Sequence, residues 1–168
     1  MENNICNGNK FTYGGGYIGL PVEINGLPET ILIEGKTMYR KSSFHVSLLC
    51  IKDITEKYDD LKEKIVDFFC SFVSKNEVSF IKYTGEFRFA TRKERETVVA
   101  LCEISNLRKF SEALGHELGI EIPPQPTHVT LYTLQPDAGI GLNSTKALDE
   151  MSVPIQVSGD IRLSLGLS

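Results

Sequence analysis

Two stretches of the chain share one pattern of polar and apolar positions. Phe44-His45-Val46-Ser47-Leu48-Leu49 and Thr127-His128-Val129-Thr130-Leu131-Tyr132 each set a histidine, a valine and a hydroxyl in an otherwise apolar frame. Their β-branched and aromatic residues predict strands. Side chains alternate faces along a strand, so His45 and Ser47 point one way while Phe44, Val46 and Leu48 point the other. His128 and Thr130 share a face in the same manner, and strict alternation places Tyr132 on it too. Leu49 holds the position equivalent to Tyr132, so the two stretches differ there.

Around these stretches the periodicity predicts an alternation of strands and helices. Residues 1–10 are polar and expected to fray. Gly14-Gly15-Gly16 leads into Pro21-Val22-Glu23-Ile24, which reads as strand, so a phosphate loop opening a helix is excluded. A close backbone approach or a flap is the expected use of these glycines; Tyr13 and Tyr17 could line a nucleotide pocket or simply pack. Asn25-Gly26 marks a turn, and residues 31–33 a short strand. After the acidic cap at Asp53, with Glu56 three residues on, apolar positions recur at Tyr58, Leu61, Ile65, Phe68, Phe69, Phe72 and Val73, which predicts a core-facing helix over 55–75. Residues 78–89 read as strand interrupted at Gly85, with Phe87 and Phe89 on one face and Glu86 and Arg88 on the other. Over 97–102 periodicity leaves strand and helix open, and the β-branched residues favour a strand. Ser105 or Asn106 is expected to cap a helix over 106–118 with Leu107, Phe110, Leu114 and Leu118 on its apolar face, stopped by Gly119. His116 falls off that stripe and is expected on the surface. Pro123-Pro124-Gln125-Pro126 imposes an extended approach to His128. Residues 136–147 have loop composition and could close as a lid. The stretches 153–157 and 161–165 predict a terminal hairpin.

Composition narrows the partners. A length of 168 residues fits one domain, and a net charge of −4 disfavours a long polyanion, which usually meets a basic surface. A short nucleotide or oligonucleotide is the expected partner, with no membrane and a monomeric state. No apolar run approaches the 18 or so residues of a spanning helix. Met1-Glu2-Asn3-Asn4 lacks the features of a signal peptide. Cys6, Cys50, Cys70 and Cys102 show no metal-ligand spacing, and with three histidines spread along the chain no zinc cluster is expected. Free thiols in a reducing cytoplasm are the expectation.

Imidazole titrates near neutral pH, so one ring can accept a proton while its partner donates one. A hydroxyl two residues along the strand faces the same space and can donate to phosphate oxygens as charge builds up there. One such tripeptide is common; two in matched frames, half a chain apart, point to phosphodiester chemistry. Arg40 and Lys41 precede His45 and could attract a phosphate or be solvated turn charges. Arg88 is a candidate phosphate contact, with a solvated strand arginine as the alternative.

The two His-x-Ser/Thr segments and the order of elements around them, over about residues 28–165, resemble the 2H phosphoesterase superfamily (LigT-like cyclic phosphodiesterases). The resemblance implies an α+β, two-lobed fold in which two antiparallel sheets face a central cleft, with helices packed outside. It implies metal-independent cleavage with no cofactor, His45, Ser47, His128 and Thr130 being catalytic. Tyr132, Arg88, Tyr39 and Arg40 are the candidate substrate contacts. Cyclic phosphates or small cyclic nucleotides rank first as substrates. RNA end-processing at 3′-5′ or 2′-5′ linkages, and a phosphate-binding module without turnover, are the alternatives.

Overall fold

Val46 and Leu48 are fully buried in the main core while His45 and Ser47, on the other face of the same strand, remain half-buried. That alternation is what a strand with one apolar face must show. The computed structural model describes residues 3–8, 10–57 and 60–168. Its strands are β1 (Asn3–Asn4), β2 (Thr12–Gly14), β3 (Tyr17–Val22), β4 (Thr30–Ile33), β5 (Lys36–Arg40), β6 (Phe44–Cys50), β7 (Phe80–Arg92), β8 (Arg95–Ile104), β9 (His128–Thr133) and β10 (Ser152–Ile155). The helices are α1 (Ile51–Thr55), α2 (Lys62–Val73), α3 (Leu107–Leu118), α4 (Thr145–Met151) and α5 (Gly159–Ser164). All pairings are antiparallel, in the order β1-β2-β3-β6-β9-β8-β7-β10, and β5, itself paired with β4, joins β9.

The two expected sheets are therefore one ten-stranded sheet, with helices packed outside. The reason is direct pairing of the two motif strands: Val46 of β6 sits opposite Val129 of β9. The motif strands are neighbours in the sheet, so the motifs lie side by side and do not face each other across a gap.

Both motif strands carry a β-bulge at the same place. On β6 the register to β3 slips from Gly19↔Ser47 to Ile18↔Leu49. On β9 the register to β8 slips from Val99↔Thr130 to Val98↔Tyr132. In each case the extra residue, Leu48 or Leu131, follows the hydroxyl of the motif. A bulge breaks the two-residue alternation, so Leu48 and Leu49, like Leu131 and Tyr132, are all buried in the core.

The main core lies between the sheet and helices α2, α3 and α5. Phe69 meets Phe11 edge-on at 4.9 Å between ring centres and Phe110 at 5.1 Å, and Phe72 lies 5.4 Å from Phe110. Such pairs contribute about 0.5–1.5 kcal/mol beyond burial, which makes this spacing of phenylalanines a helix-packing device. A smaller cluster, Ala90, Val99, Ile140, Leu142 and Leu148, packs separately. It unites β7 and β8 with the segment over 139–142 and α4.

Several expectations are corrected. The helix over 55–75 is two helices, α1 and α2, and Tyr58 lies outside the described residues, as do Met1 and Glu2. Asn3–Asn4, expected to fray, pairs with β2, and Cys6 is disulfide-bonded to Cys70 of α2. Only Cys50 and Cys102 are free thiols, both buried. Sequence spacing could not show that pairing, because the fold folds the N-terminal strand back over α2. The second arm of the terminal hairpin is α5, with Ile161 and Leu165 turned into the core. Asn106 precedes α3 in a left-handed conformation without a capping bond; its side chain donates to the Glu77 carbonyl.

Other elements lie where periodicity places them. β8 covers 97–102, β7 slips register around Gly85 (φ +90°), and Gly119 ends α3 with φ +69°. Gly15 and Gly16, both at positive φ, turn β2 into β3. Among the described residues no helix is long and apolar enough to cross a membrane.

Candidate active site

Val46 of β6 and Val129 of β9 are paired, and His45 and Ser47 flank the first as His128 and Thr130 flank the second. Two histidines and two hydroxyls thus form a four-cornered patch on one face of two adjacent strands. They line a cavity of about 260 Å³, together with Tyr17, Lys41, Ser43, Arg95 and residues 139–143. Gly19, opposite Ser47, lets the β3 backbone come close: a Cβ there would sit 3.8 Å from the His45 ring and 3.0 Å from Thr12 Oγ1.

The two histidines differ in environment. His45 is half-buried, whereas His128 is only 8% exposed. Burial, which penalises the charged ring, pushes His128 down to about 4; the Pro126 carbonyl opposes this, and repulsion from His45 adds to it. Nδ1 of His128 is buried and makes no hydrogen bond of acceptable geometry, so the Pro126 carbonyl gives it only partial compensation. In the free protein His128 is therefore neutral at pH 7.

The segment over 137–143 forms one wall and is pinned at three points. Asp137 accepts from the backbone and hydroxyl of Ser42, both at 3.0 Å, and pairs with Lys41 at 3.7 Å. The Ser42 backbone N–H is the main reason that the Asp137 carboxyl is held below its ordinary range. Arg95 donates to the Gly139 carbonyl at 2.9 Å. Asn143 donates to the Tyr17 hydroxyl at 3.1 Å and to Asp53 at 3.3 Å. Gly141 is required by closeness, since a Cβ there would lie 2.8 Å from the Tyr17 hydroxyl. The loop expected over 136–147 is thus a pinned wall that gives way to α4 at Thr145. On the opposite side Gln125, buried among the prolines, accepts from the Cys50 N–H at 2.9 Å and donates to the Ser47 carbonyl at 3.0 Å. It fixes the approach to His128 against the strand that carries His45.

Of the eight expected site residues, the fold brings His45, Ser47, His128 and Thr130 together and leaves the other four elsewhere. The bulge after Thr130 turns Tyr132 into the main core, where its hydroxyl donates to the Pro28 carbonyl at 2.7 Å and burial pushes its phenol up to about 12. Arg88 donates to the hydroxyl and carbonyl of Ser152 and pairs with Glu86, clamping β10 to β7. Arg40 donates to the Leu27 carbonyl, and Tyr39 stands exposed on β5. Of the neighbours Arg40 and Lys41, it is Lys41 that reaches the cavity, where Arg95 joins it. The missed signal was parity: residues 41, 43, 45 and 47 all line the cavity, while 40 has the opposite sense. Of the two tyrosines left open between pocket and packing, Tyr17 lines the cavity, and Tyr13 lies under the Lys62 ammonium, 4.4 Å from its ring centre. His116 is exposed on α3.

Compared with family models, with curated proteins and with solved structures, the chain matches none.

Proposed function

We propose that the protein is a phosphodiesterase that works by two-histidine acid/base catalysis on a cyclic phosphate or small nucleotide, in the manner of the 2H phosphoesterases that its motifs resemble. The observation that carries this reading is the four-cornered patch: two imidazoles and two hydroxyls on one face, lining one cavity. A phosphate seated there meets a proton acceptor, a proton donor and two hydroxyl donors.

The division of labour follows from burial. His128, neutral at pH 7, takes a proton from the attacking water. The new P–O bond forms as the bond to the ribose oxygen breaks, and His45 gives that oxygen its proton. Ser47 and Thr130 donate to the non-bridging oxygens, whose charge grows in the transition state. Lys41 and Arg95, at the same cavity, favour an anionic ligand. Turnover by the wild-type protein of a panel of 2′,3′-cyclic nucleotides, 3′-5′ and 2′-5′ dinucleotides, with and without a strong chelator, is the test. Chelator-resistant cleavage of at least one member, lowered roughly 10² to 10⁴-fold in His45→Ala, is expected. Binding of the panel without cleavage would replace the enzyme with a phosphate-binding module.

A further inference from the structure

A second cavity lies beside the one that holds the histidines. The neighbour, about 530 Å³, is lined by Arg92, Lys93, Glu94 and Arg95 of the β7–β8 hairpin, by Gln135, and by the loop over 139–141. Arg95 and residues 139–141 line both, so the two cavities adjoin with these residues between them.

Size and charge both bear on what the neighbouring cavity holds. The histidine cavity alone, at about 260 Å³, falls below the roughly 300–1,000 Å³ of sites that enclose a small ligand. The neighbouring cavity, at about 530 Å³, falls within that range. The hairpin carries three cations against one anion, Glu94, on a chain whose net charge is −4. Among the described residues Arg92, Lys93 and Arg95 make no ion pair with a carboxylate; Glu96, next along the strand, is taken by Lys36 at 2.9 Å. Arg95 is oriented by its bond to the Gly139 carbonyl. Uncompensated cations converging on a cavity beside a phosphate site are suited to a second phosphate, which an arginine can grip with paired donors.

We infer that the β7–β8 hairpin is a second phosphate subsite, and that the ligand is an oligonucleotide, linear or cyclic, carrying at least two phosphates. The inference rests on the phosphodiesterase reading for the first phosphate and adds the substrate class. A mononucleoside cyclic phosphate would fill the histidine cavity and leave the hairpin unused.

Equilibrium binding separates this from catalysis. The dinucleotides pApA and ApA differ by the terminal phosphate alone. Their affinities are measured for His45→Ala, which slows turnover, and for the same protein carrying Arg92→Gln and Lys93→Asn. Lys93 has φ 56°, and asparagine is among the residues that best keep that conformation. Circular dichroism confirms the fold of each. The expected result is that pApA binds about tenfold more tightly than ApA, as one charge-assisted contact implies. The hairpin variant should bring pApA to the level of ApA and leave ApA unchanged. Equal binding of the two ligands, equal weakening of both by the hairpin change, or no binding of either overturns the subsite. Turnover by the wild-type protein is read separately: cleavage with no preference for pApA rejects the subsite and keeps the enzyme, whereas hairpin-dependent binding without any cleavage keeps the subsite and rejects the enzyme.

Discussion

The two motif strands are near copies in backbone and unlike in solvent exposure. Each runs histidine, valine, hydroxyl, then a bulge at the following leucine, and the valines pair with each other. Yet β6 has β3 on its outer side, and β9 is embedded between β8 and the successive β5 and β6. The same local sequence therefore delivers one histidine half-exposed and the other nearly dry. Symmetry places the four side chains, and the asymmetry of the surroundings gives the two histidines different burial. Removing either histidine tests the symmetric part. His45→Ala and His128→Ala should each lower turnover roughly 10² to 10⁴-fold, and the double variant should fall little further, because the pair acts as a unit. His116→Ala should match wild type in the same assay.

The hydroxyls come next. Ser47→Ala and Thr130→Val should each lower kcat by up to about 10² to 10³ if each donates to the transition-state oxygens, with thermal unfolding showing that the fold persists. Unequal losses would reveal that the phosphate sits closer to one strand.

A smaller effect sharpens the asymmetric part. His128 ionises at 6.5 in the unfolded chain and at about 4 in the fold, so between those values the unfolded chain binds more protons. Stability is fully present above pH 6.5 and falls as pH falls toward 4, by roughly 3 kcal/mol. Urea midpoints at pH 7.5, 5.5 and 4 should show this drop in the wild type and lack it in His128→Asn.

The smallest concerns the wall. Gly141→Ala should displace the Tyr17 hydroxyl from Asn143, costing about 1 kcal/mol of stability, and raise KM severalfold without abolishing turnover. An unchanged KM would show that substrate does not lean on that wall.

Strand composition and alternation made both motifs, the α3 helix and the β7 break at Gly85 readable from the chain. They did not reveal that β6 and β9 pair, because pairing is a contact between segments half a chain apart. Nor did they reveal the bulges, which depend on the register to β3 and β8. Tyr132 shows the cost: strict alternation sends it to the site, and one extra residue sends it to the core. Arg95 had no local signal at all, since it reaches the cavity only through the hairpin geometry and its bond to Gly139. Cys6 and Cys70 likewise lie 64 residues apart and meet only through tertiary folding.

The most direct measurement is the pH dependence of kcat/KM for a cleaved phosphodiester in the wild type, His45→Ala and His128→Ala. The wild type should give a bell whose acid limb lies near pH 4, reporting a buried base in the free protein. His128→Ala should lose the acid limb, and His45→Ala the alkaline one. A wild-type profile without two limbs, or a folded variant of either histidine that keeps the full bell, would contradict the two-histidine account.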